Sequence, residues 1–88
     1  MTPNATKVCN SVVEWIRRSL FYGESFEVSS KVDESWNPAG RYVVFEAKSG
    51  ENTNRVTFRI DIIDDGRIPE RTLKLEAWYL LGRVRGLE

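Results

Sequence analysis

The sequence predicts an α+β domain of order αβββα, in which an N-terminal helix packs on a three-stranded antiparallel sheet and a C-terminal helix follows in a two-layer arrangement. Apolar residues first recur at intervals of three and four, which is typical of a helix with one buried face. They then alternate with polar residues over three segments separated by turn residues, which indicates half-buried strands. A last apolar stripe at helical spacing follows a proline.

The first helix is predicted between Thr2 and Tyr22. Its apolar arc contains Ala5, Val8, Cys9, Val12, Val13, Ile16 and Leu20. Thr2 followed by Pro3 suits an N-cap and a first helical turn, while Asn4 or Thr6 is an alternative N-cap of a shorter helix. Gly23 can adopt the left-handed conformation that ends a helix. Cys9 lies within the apolar arc and the chain has no histidine to activate it, so we expect a buried structural thiol.

The three strands are predicted at residues 26–33, 41–48 and 56–63, where apolar and polar residues alternate. In the first hairpin the predicted register places Val32 opposite Val43. In the second hairpin it places Phe45 opposite Phe58, across a loop at 49–54. A shift of two residues would keep the same apolar face buried, whereas a slip of one residue would expose it.

The C-terminal segment fits two kinds of element. The helical interpretation places one apolar stripe at Leu73, Ala77, Leu80, Leu81 and Val84. The alternation of residues 72–77 would also suit a fourth strand. We favour the helix, because Leu, Lys, Glu and Ala dominate the segment and Pro69 suits its first turn.

A chain of 88 residues has room for one core, so residues 1–86 are expected to form a single domain. Residues 87–88, Leu-Glu, match a cloning-tag remnant. The N-terminus lacks the features of a secretory signal, and one cysteine cannot form an internal disulfide. The sequence also lacks an apolar run of the ~20 residues that cross a bilayer. We therefore expect a cytoplasmic protein with no membrane contact.

Charge and histidine content limit the function classes. Thirteen Lys and Arg residues balance thirteen Asp and Glu residues, so no net charge attracts nucleic acid or an anionic membrane. The absence of histidine removes the usual acid or base at neutral pH and the commonest transition-metal ligand. We therefore favour a non-enzymatic domain and predict no catalytic residue, no metal site and no cofactor.

Asp33 and the triplet at 46–48, Glu-Ala-Lys, resemble the D…ExK signature of the restriction-endonuclease-like nucleases. The resemblance implies that Asp33 and Glu46 hold a divalent metal and that Lys48 positions the attacking water. In the predicted register the two carboxylates lie about four residues, or ~13 Å, apart along the strands. One metal ion needs its oxygen ligands within ~2.6 Å. A metal-dependent nuclease is therefore the least favoured function.

The order of one helix, three strands and one helix is similar to that of the double-stranded-RNA-binding domain. That family uses a lysine-rich start of its last helix, whereas residues 69–76 mix positive and negative charges. A local basic patch would still form if both chain ends approach each other and bring together Arg17, Arg18, Arg83 and Arg85. A small nucleic-acid-binding module is therefore the alternative function.

Aromatic residues indicate an interface. Three Trp, three Tyr and four Phe supply more aromatic surface than one small core easily buries, although core filling is the alternative interpretation. Val8, Trp15 and Tyr22 are spaced by seven along the first helix, and Trp36 lies in the first turn. Trp and Tyr are favoured at interfaces. We therefore predict that Trp15, Tyr22 and Trp36 form the candidate interface of a bacterial or phage-type accessory module that binds a protein partner or forms a homodimer.

Overall fold

The chain forms the predicted elements in the predicted order, with one short helix added, over residues 1–33 and 40–86, which are the residues that the computed structural model describes. The elements are α1 (Pro3–Arg17), β1 (Glu24–Asp33), β2 (Gly40–Ser49), β3 (Asn52–Arg59), α2 (Ile60–Asp64) and α3 (Glu70–Val84). The predicted two-layer α+β fold is confirmed. The C-terminal segment is a helix, so the alternative of a fourth strand is wrong.

The three strands form one antiparallel sheet in the order β1-β2-β3. Helices α1 and α3 contact each other, and both pack against the same apolar face of the sheet. The core between the two layers contains Ala5, Cys9, Val12, Val13, Ile16, Phe26, Val43, Phe45, Ala47, Ile60, Ile63, Leu73, Ala77, Leu80, Leu81 and Val84. Within residues 1–33 and 40–86, no helix has the length and apolar character needed to cross a membrane.

Helix α1 begins as predicted and ends earlier than predicted. The Thr2 hydroxyl accepts a hydrogen bond from the Ala5 backbone N–H at 3.2 Å, which caps the helix. The helix ends at Arg17 and Arg18 is its C-cap, with the Arg18 N–H donating to the Ile16 carbonyl. Beyond the helix, the Phe21 N–H donates to the Glu24 carboxylate at 2.7 Å instead of to a helical carbonyl.

The second hairpin has the predicted apolar face and a different register. Phe45 lies opposite Val56 rather than Phe58, which is a shift of two residues from the prediction. The cause is a two-residue turn between Ser49 and Asn52, with Gly50 at φ +60° in its first central position. This is the glycine position of a type II′ hairpin turn, and it makes the loop shorter than the one expected at residues 49–54.

The first hairpin is also shifted by two residues. Ser30 lies opposite Val43, and Val32 lies opposite Arg41, so the predicted pairing of Val32 with Val43 is wrong. The parity of both hairpins is nevertheless as predicted, because Val43 and Phe45 are buried on the face that receives the helices. The segment between β1 and β2, residues 34–39 including Trp36, lies outside the described residues.

The predicted third strand is too long at its C-terminal end. Strand β3 stops at Arg59, and Ile60 begins the short helix α2. Ile60 and Ile63 are both buried, with 5% and 2% of their surfaces exposed. Their spacing of three places both side chains on one face of a helical turn, which a strand would not do. The apolar residues at 60, 62 and 63 fit both the two-residue period of a strand and the 3.6-residue period of a helix. Packing in the core favours the helix.

Candidate interaction surface

Trp15 of α1 and Trp78 of α3 are in contact on the outer surface of the helical layer. Their ring centroids are 5.8 Å apart and their planes are tilted by 51°. Trp15 keeps 38% of its surface exposed and Trp78 keeps 43%, so each side chain is partly buried and partly accessible to a partner. Because both rings are attached to helices and restrict each other's rotamers, a partner would meet a surface that is already ordered.

Helix α3 carries a second apolar stripe that points away from the core. Leu75 is 50% exposed and Tyr79 is 44% exposed, and both lie on the helical face that Trp78 occupies. Gly82 continues this row one turn further without a side chain. We call the surface formed by Trp15, Leu75, Trp78 and Tyr79 the outer helical patch.

The size of the outer helical patch is comparable with known functional patches. An aromatic side chain has about 150–250 Å² of surface to bury. With exposed fractions of 38–50%, the four residues together expose roughly 300 Å² of largely apolar area. The largest apolar patch on a typical monomer measures about 300–600 Å² and is often functional. The outer helical patch is therefore large enough to form the centre of an interface.

The two long helices carry a net positive charge, although the whole chain is neutral. Residues 3–18 and 70–84 contain six basic side chains and three acidic ones, which gives a net charge of +3. The basic residues are Lys7, Arg17, Arg18, Arg71, Lys74 and Arg83, and the acidic residues are Glu14, Glu70 and Glu76. The rest of the chain therefore carries –3. Because α2 lies in the same layer and carries Asp61 and Asp64, the excess of positive charge belongs to α1, Arg18 and α3 and not to the helical layer as a whole.

Cations border the aromatic pair directly. The Lys74 Nζ lies 5.9 Å from the centre of the Trp15 ring and 3.2 Å from the Glu70 carboxylate. Arg18 follows Trp15 by one helical turn, and Arg71 precedes Leu75 on the outward row of α3. Both arginines are exposed, and neither forms an ion pair or side-chain hydrogen bond with another residue in the described ranges. They are therefore available to a ligand.

The structure separates the interface residues that the sequence predicted. Trp15 lies in the outer helical patch. Tyr22 is fully exposed in the connection between α1 and β1, where it borders a surface depression of about 350 Å³ together with Phe21 and Arg85. The predicted seven-residue stripe from Trp15 to Tyr22 is wrong, because α1 ends at Arg17 and Tyr22 is not helical. Trp36 lies outside the described residues.

Two of the most exposed residues of the patch, Leu75 and Tyr79, were not among the predicted interface residues, and neither was Trp78. A signal for them exists in the sequence, because positions 75, 78, 79 and 82 repeat at intervals of three and four. This stripe was obscured by the buried stripe of the same helix. When a helix has apolar residues on two opposite faces, a single core can bury only one of them, and the other face stays exposed.

Glu24 and Arg85 form an ion pair that is largely shielded from solvent. The Arg85 Nε donates to the Glu24 carboxylate at 2.7 Å, and Nη2 donates both to the second oxygen of Glu24 and to the Ser19 carbonyl at 2.7 Å. The Arg85 guanidinium also lies 4.0 Å from the centre of the Phe21 ring. The exposed fraction is 3% for the Glu24 side chain and 12% for Arg85. The pair thus ties the end of α3 to the start of β1.

The electrostatics of this pair indicate a structural role. Hydrogen bonds from Arg85, with smaller contributions from the Phe21 N–H and Ser49, lower the pKa of Glu24 to about 2. A carboxylate that is ionised and saturated with donors is a poor acid or base at neutral pH. The chain ends do approach each other, as a basic patch would require. However, Arg85 is neutralised by Glu24, and Arg17 lies 3.6 Å from Glu14.

The D…ExK residues do not converge along the backbone. Asp33 pairs with Gly40, and Glu46 pairs with Glu27, so the two acidic positions are six residues apart on β2 and roughly 20 Å apart. Lys48 and Arg55 each contact Glu46, at 3.6 Å and 3.5 Å. Among the described residues, no group of three or more His, Cys, Asp or Glu side chains is placed to hold a metal ion.

Comparisons of the chain with models of protein families, with curated proteins and with solved structures found no match. The surfaces of the domain are therefore the basis for a functional proposal.

Proposed function

We propose that this domain is a non-enzymatic protein-binding module and that the outer helical patch is its docking surface. The observation that carries the proposal is the contact between Trp15 and Trp78. These two partly exposed tryptophans lie on different helices, and their rings pack against each other. Leu75 and Tyr79 add two exposed side chains on the face of α3 that Trp78 occupies. Large aromatic side chains near the centre of a patch are the residues that dominate protein interfaces.

The core of the domain does not need these side chains. The opposite face of α3 already buries Leu73, Ala77, Leu80, Leu81 and Val84. Leu75 is on the solvent side and leaves half of its surface in water, which has a free-energy cost that a binding partner would remove. If this face of α3 met only solvent, charged side chains at these positions would have a lower free-energy cost than apolar ones. This excess of apolar surface supports docking over core filling.

The nucleic-acid alternative has less support. The outward face of the sheet carries several basic residues, but Arg55 and Lys48 both contact Glu46, and Arg59 is paired with Asp61 at 3.1 Å. Neighbouring carboxylates reduce the attraction of such cations for phosphate. The alternative therefore remains a competing outcome of the experiment rather than the preferred function.

The proposal is tested by comparing two substitutions of exposed apolar residues. Leu75→Glu places a charge in the outer helical patch, and Val32→Glu places one at a 60% exposed position on β1. Proteins from the native host that are retained by the wild-type domain are identified, purified and titrated against all three forms by calorimetry. Circular dichroism and thermal melting verify that both variants fold.

We expect the purified partner to bind the wild type and Val32→Glu alike and to bind Leu75→Glu at least about tenfold more weakly. Sedimentation of the three forms reports self-association through the same patch. The proposal is wrong if Leu75→Glu binds and sediments like the wild type. It is also wrong if the retained material is nucleic acid whose binding Leu75→Glu does not change.

A further inference from the structure

We infer that the partner presents an acidic amphipathic helix to the outer helical patch. This inference rests on the proposed function, because it specifies the ligand of the same surface. Its basis is the combination of unpaired cations at the border of the patch with the shape of the apolar row on α3.

The cations at the border of the outer helical patch are complementary to an acidic ligand. Arg18 and Arg71 are exposed without a side-chain partner in the described ranges. Two of the three carboxylates on α1 and α3 are already engaged, since Glu14 contacts Arg17 and Glu70 contacts Lys74. An acidic side chain from a ligand would therefore add new pairs rather than compete for existing ones. The guanidinium group suits carboxylates because it can donate two parallel hydrogen bonds.

The shape of the patch suits a helix. The row from Leu75 to Gly82 follows the axis of α3 for two helical turns, about 10 Å at 1.5 Å per residue. Trp78 belongs to this row and contacts Trp15 of the neighbouring helix. At Gly82 the surface of α3 is recessed, because glycine has no side chain and a Cβ atom added there would meet no heavy atom within 4 Å. An amphipathic helix recognises such a row with apolar side chains at positions i, i+3, i+4 and i+7.

A second copy of the chain fits the same surface less well. Two copies joined through their outer helical patches would bring two sets of Arg18, Arg71 and Lys74 together around one interface. Like charges at an interface oppose association. The net charge of +3 on residues 3–18 and 70–84 thus disfavours self-association and favours an acidic partner.

Single-stranded nucleic acid also fits less well. Bases bind by stacking on open aromatic faces, but Trp15 has Lys74 over its ring and Trp78 beside it. Leu75, an aliphatic side chain in the outward row, offers no stacking surface. The observed surface is therefore better matched to apolar side chains than to bases.

The test is a selection from an unbiased library of displayed peptides about 18 residues long, which is sufficient for a helix to form. Peptides are first captured on the wild-type domain. Those that also bind the Leu75→Glu variant are then removed, because they bind outside the outer helical patch. Enriched peptides are sequenced, and a synthetic consensus peptide is titrated by fluorescence anisotropy. The titration uses the wild type, the double variant Arg18→Glu/Arg71→Glu, and Lys31→Glu as a control on the exposed part of β1.

We expect the enriched peptides to carry acidic residues around apolar residues at helical spacing. The double variant should weaken binding about tenfold or more, while Lys31→Glu should leave binding within about twofold of the wild type. A consensus peptide with its acidic residues changed to lysine should regain affinity for the double variant. Gly82→Trp should also weaken binding, because it fills the low end of the row.

Other outcomes overturn the inference in distinguishable ways. Neutral or basic enriched peptides would refute the acidic ligand and leave the docking surface intact. A dimer that Leu75→Glu dissociates would identify a second copy as the occupant. Binding of oligo(dT) that Arg71→Glu abolishes and Leu75→Glu does not would support nucleic acid. If no peptide depends on Leu75, the proposed function fails together with the inference.

Discussion

Glu24 and Arg85 join the first residue of β1 to the residue that follows α3 through a bidentate ion pair with little exposure to solvent. Arg85 also donates to the Ser19 carbonyl just beyond α1. The pair thus fixes the ends of three elements that carry or support the outer helical patch. Its contribution to stability can be measured, because it depends on the ionisation of Glu24.

We predict that the Glu24–Arg85 pair makes the domain acid-sensitive. The pKa of Glu24 falls from 4.5 to about 2 on folding. A lowered pKa means that the stabilisation is fully present above pH 4.5 and is lost as the pH falls toward 2. The difference corresponds to at most about 3 kcal/mol of unfolding free energy. Urea unfolding at pH 7, 4 and 2.5 measures this loss.

Glu24→Gln should remove much of the pH dependence and lower the unfolding free energy at pH 7 by about 2–3 kcal/mol. Glu51→Gln, which removes the same charge from the exposed turn of the second hairpin, serves as the control and should change it by less than about 0.5 kcal/mol. Equal pH profiles for the wild type and Glu24→Gln would contradict the prediction.

We predict that one substitution, glycine to alanine, has opposite effects at Gly50 and Gly82. Gly50 has a φ of +60°, a conformation that costs an L-residue about 1–2 kcal/mol, so Gly50→Ala should destabilise the fold by about that amount. Gly82 lies inside α3, and an added Cβ meets open space. Gly82→Ala should therefore stabilise the domain by about 0.5–1 kcal/mol.

Thermal unfolding of both glycine variants checks these signs, since each variant is the control for the other. Stabilisation by Gly50→Ala would contradict the two-residue turn and with it the observed register of the second hairpin.

We predict that Cys9 reacts only after the domain opens. It is 1% exposed, and burial raises the pKa of its thiol to about 11. At pH 8 only about 0.1% of such a thiol is ionised, and the thiolate is the reactive form. The labelling rate with a disulfide reagent should therefore follow the unfolding equilibrium as urea is added. As a control, Ser30→Cys in a Cys9→Ala background places a thiol at an exposed strand position and should react at once.

The features that were predicted from the sequence are those that depend on local periodicity. Alternation was enough to place Val43 and Phe45 on the buried face, because an error of one residue would expose both. Their partners across the sheet could not be fixed in this way. The polar residues after Gly50 are equally acceptable in a loop or at a strand end, and the conformation of Gly50 decided the register.

The candidate site was predicted in part for a similar reason. Trp15 was expected at the rim of the core, and it is half-exposed there. Tyr22 was assigned to the same face, but α1 ends at Arg17, and the Phe21 N–H beyond it donates to the Glu24 carboxylate rather than to a helical carbonyl. Leu75 and Trp78 could not be assigned, because both faces of α3 have apolar residues and only the tertiary fold shows which face meets the sheet.

We predict that Trp15 and Trp78 are energetically coupled in the free domain and that both contribute to binding. About half or more of each side chain is buried, so Trp15→Ala and Trp78→Ala should each lower the unfolding free energy by roughly 1–2 kcal/mol without unfolding the domain. Because the rings are in contact, the double variant should lose less than the sum of the single variants, by about 0.5–1.5 kcal/mol. Tyr22→Ala is the matched control, since it removes a fully exposed aromatic side chain outside the patch and should leave stability unchanged within about 0.5 kcal/mol.

The same variants separate an interface role from core filling. For a ligand of the outer helical patch, each Trp→Ala change should reduce binding by about 1–3 kcal/mol, whereas Tyr22→Ala should have little effect. Urea unfolding and calorimetric titration measure the two quantities on the same samples. If Trp15→Ala unfolds the domain at 25 °C, Trp15 belongs functionally to the core, and the patch loses its central residue. If it neither destabilises the domain nor changes binding, the contact with Trp78 has no role in either. A loss of binding in a domain that still folds is the result that the exposed half of each ring leads us to expect, because that half is the part which a partner would cover.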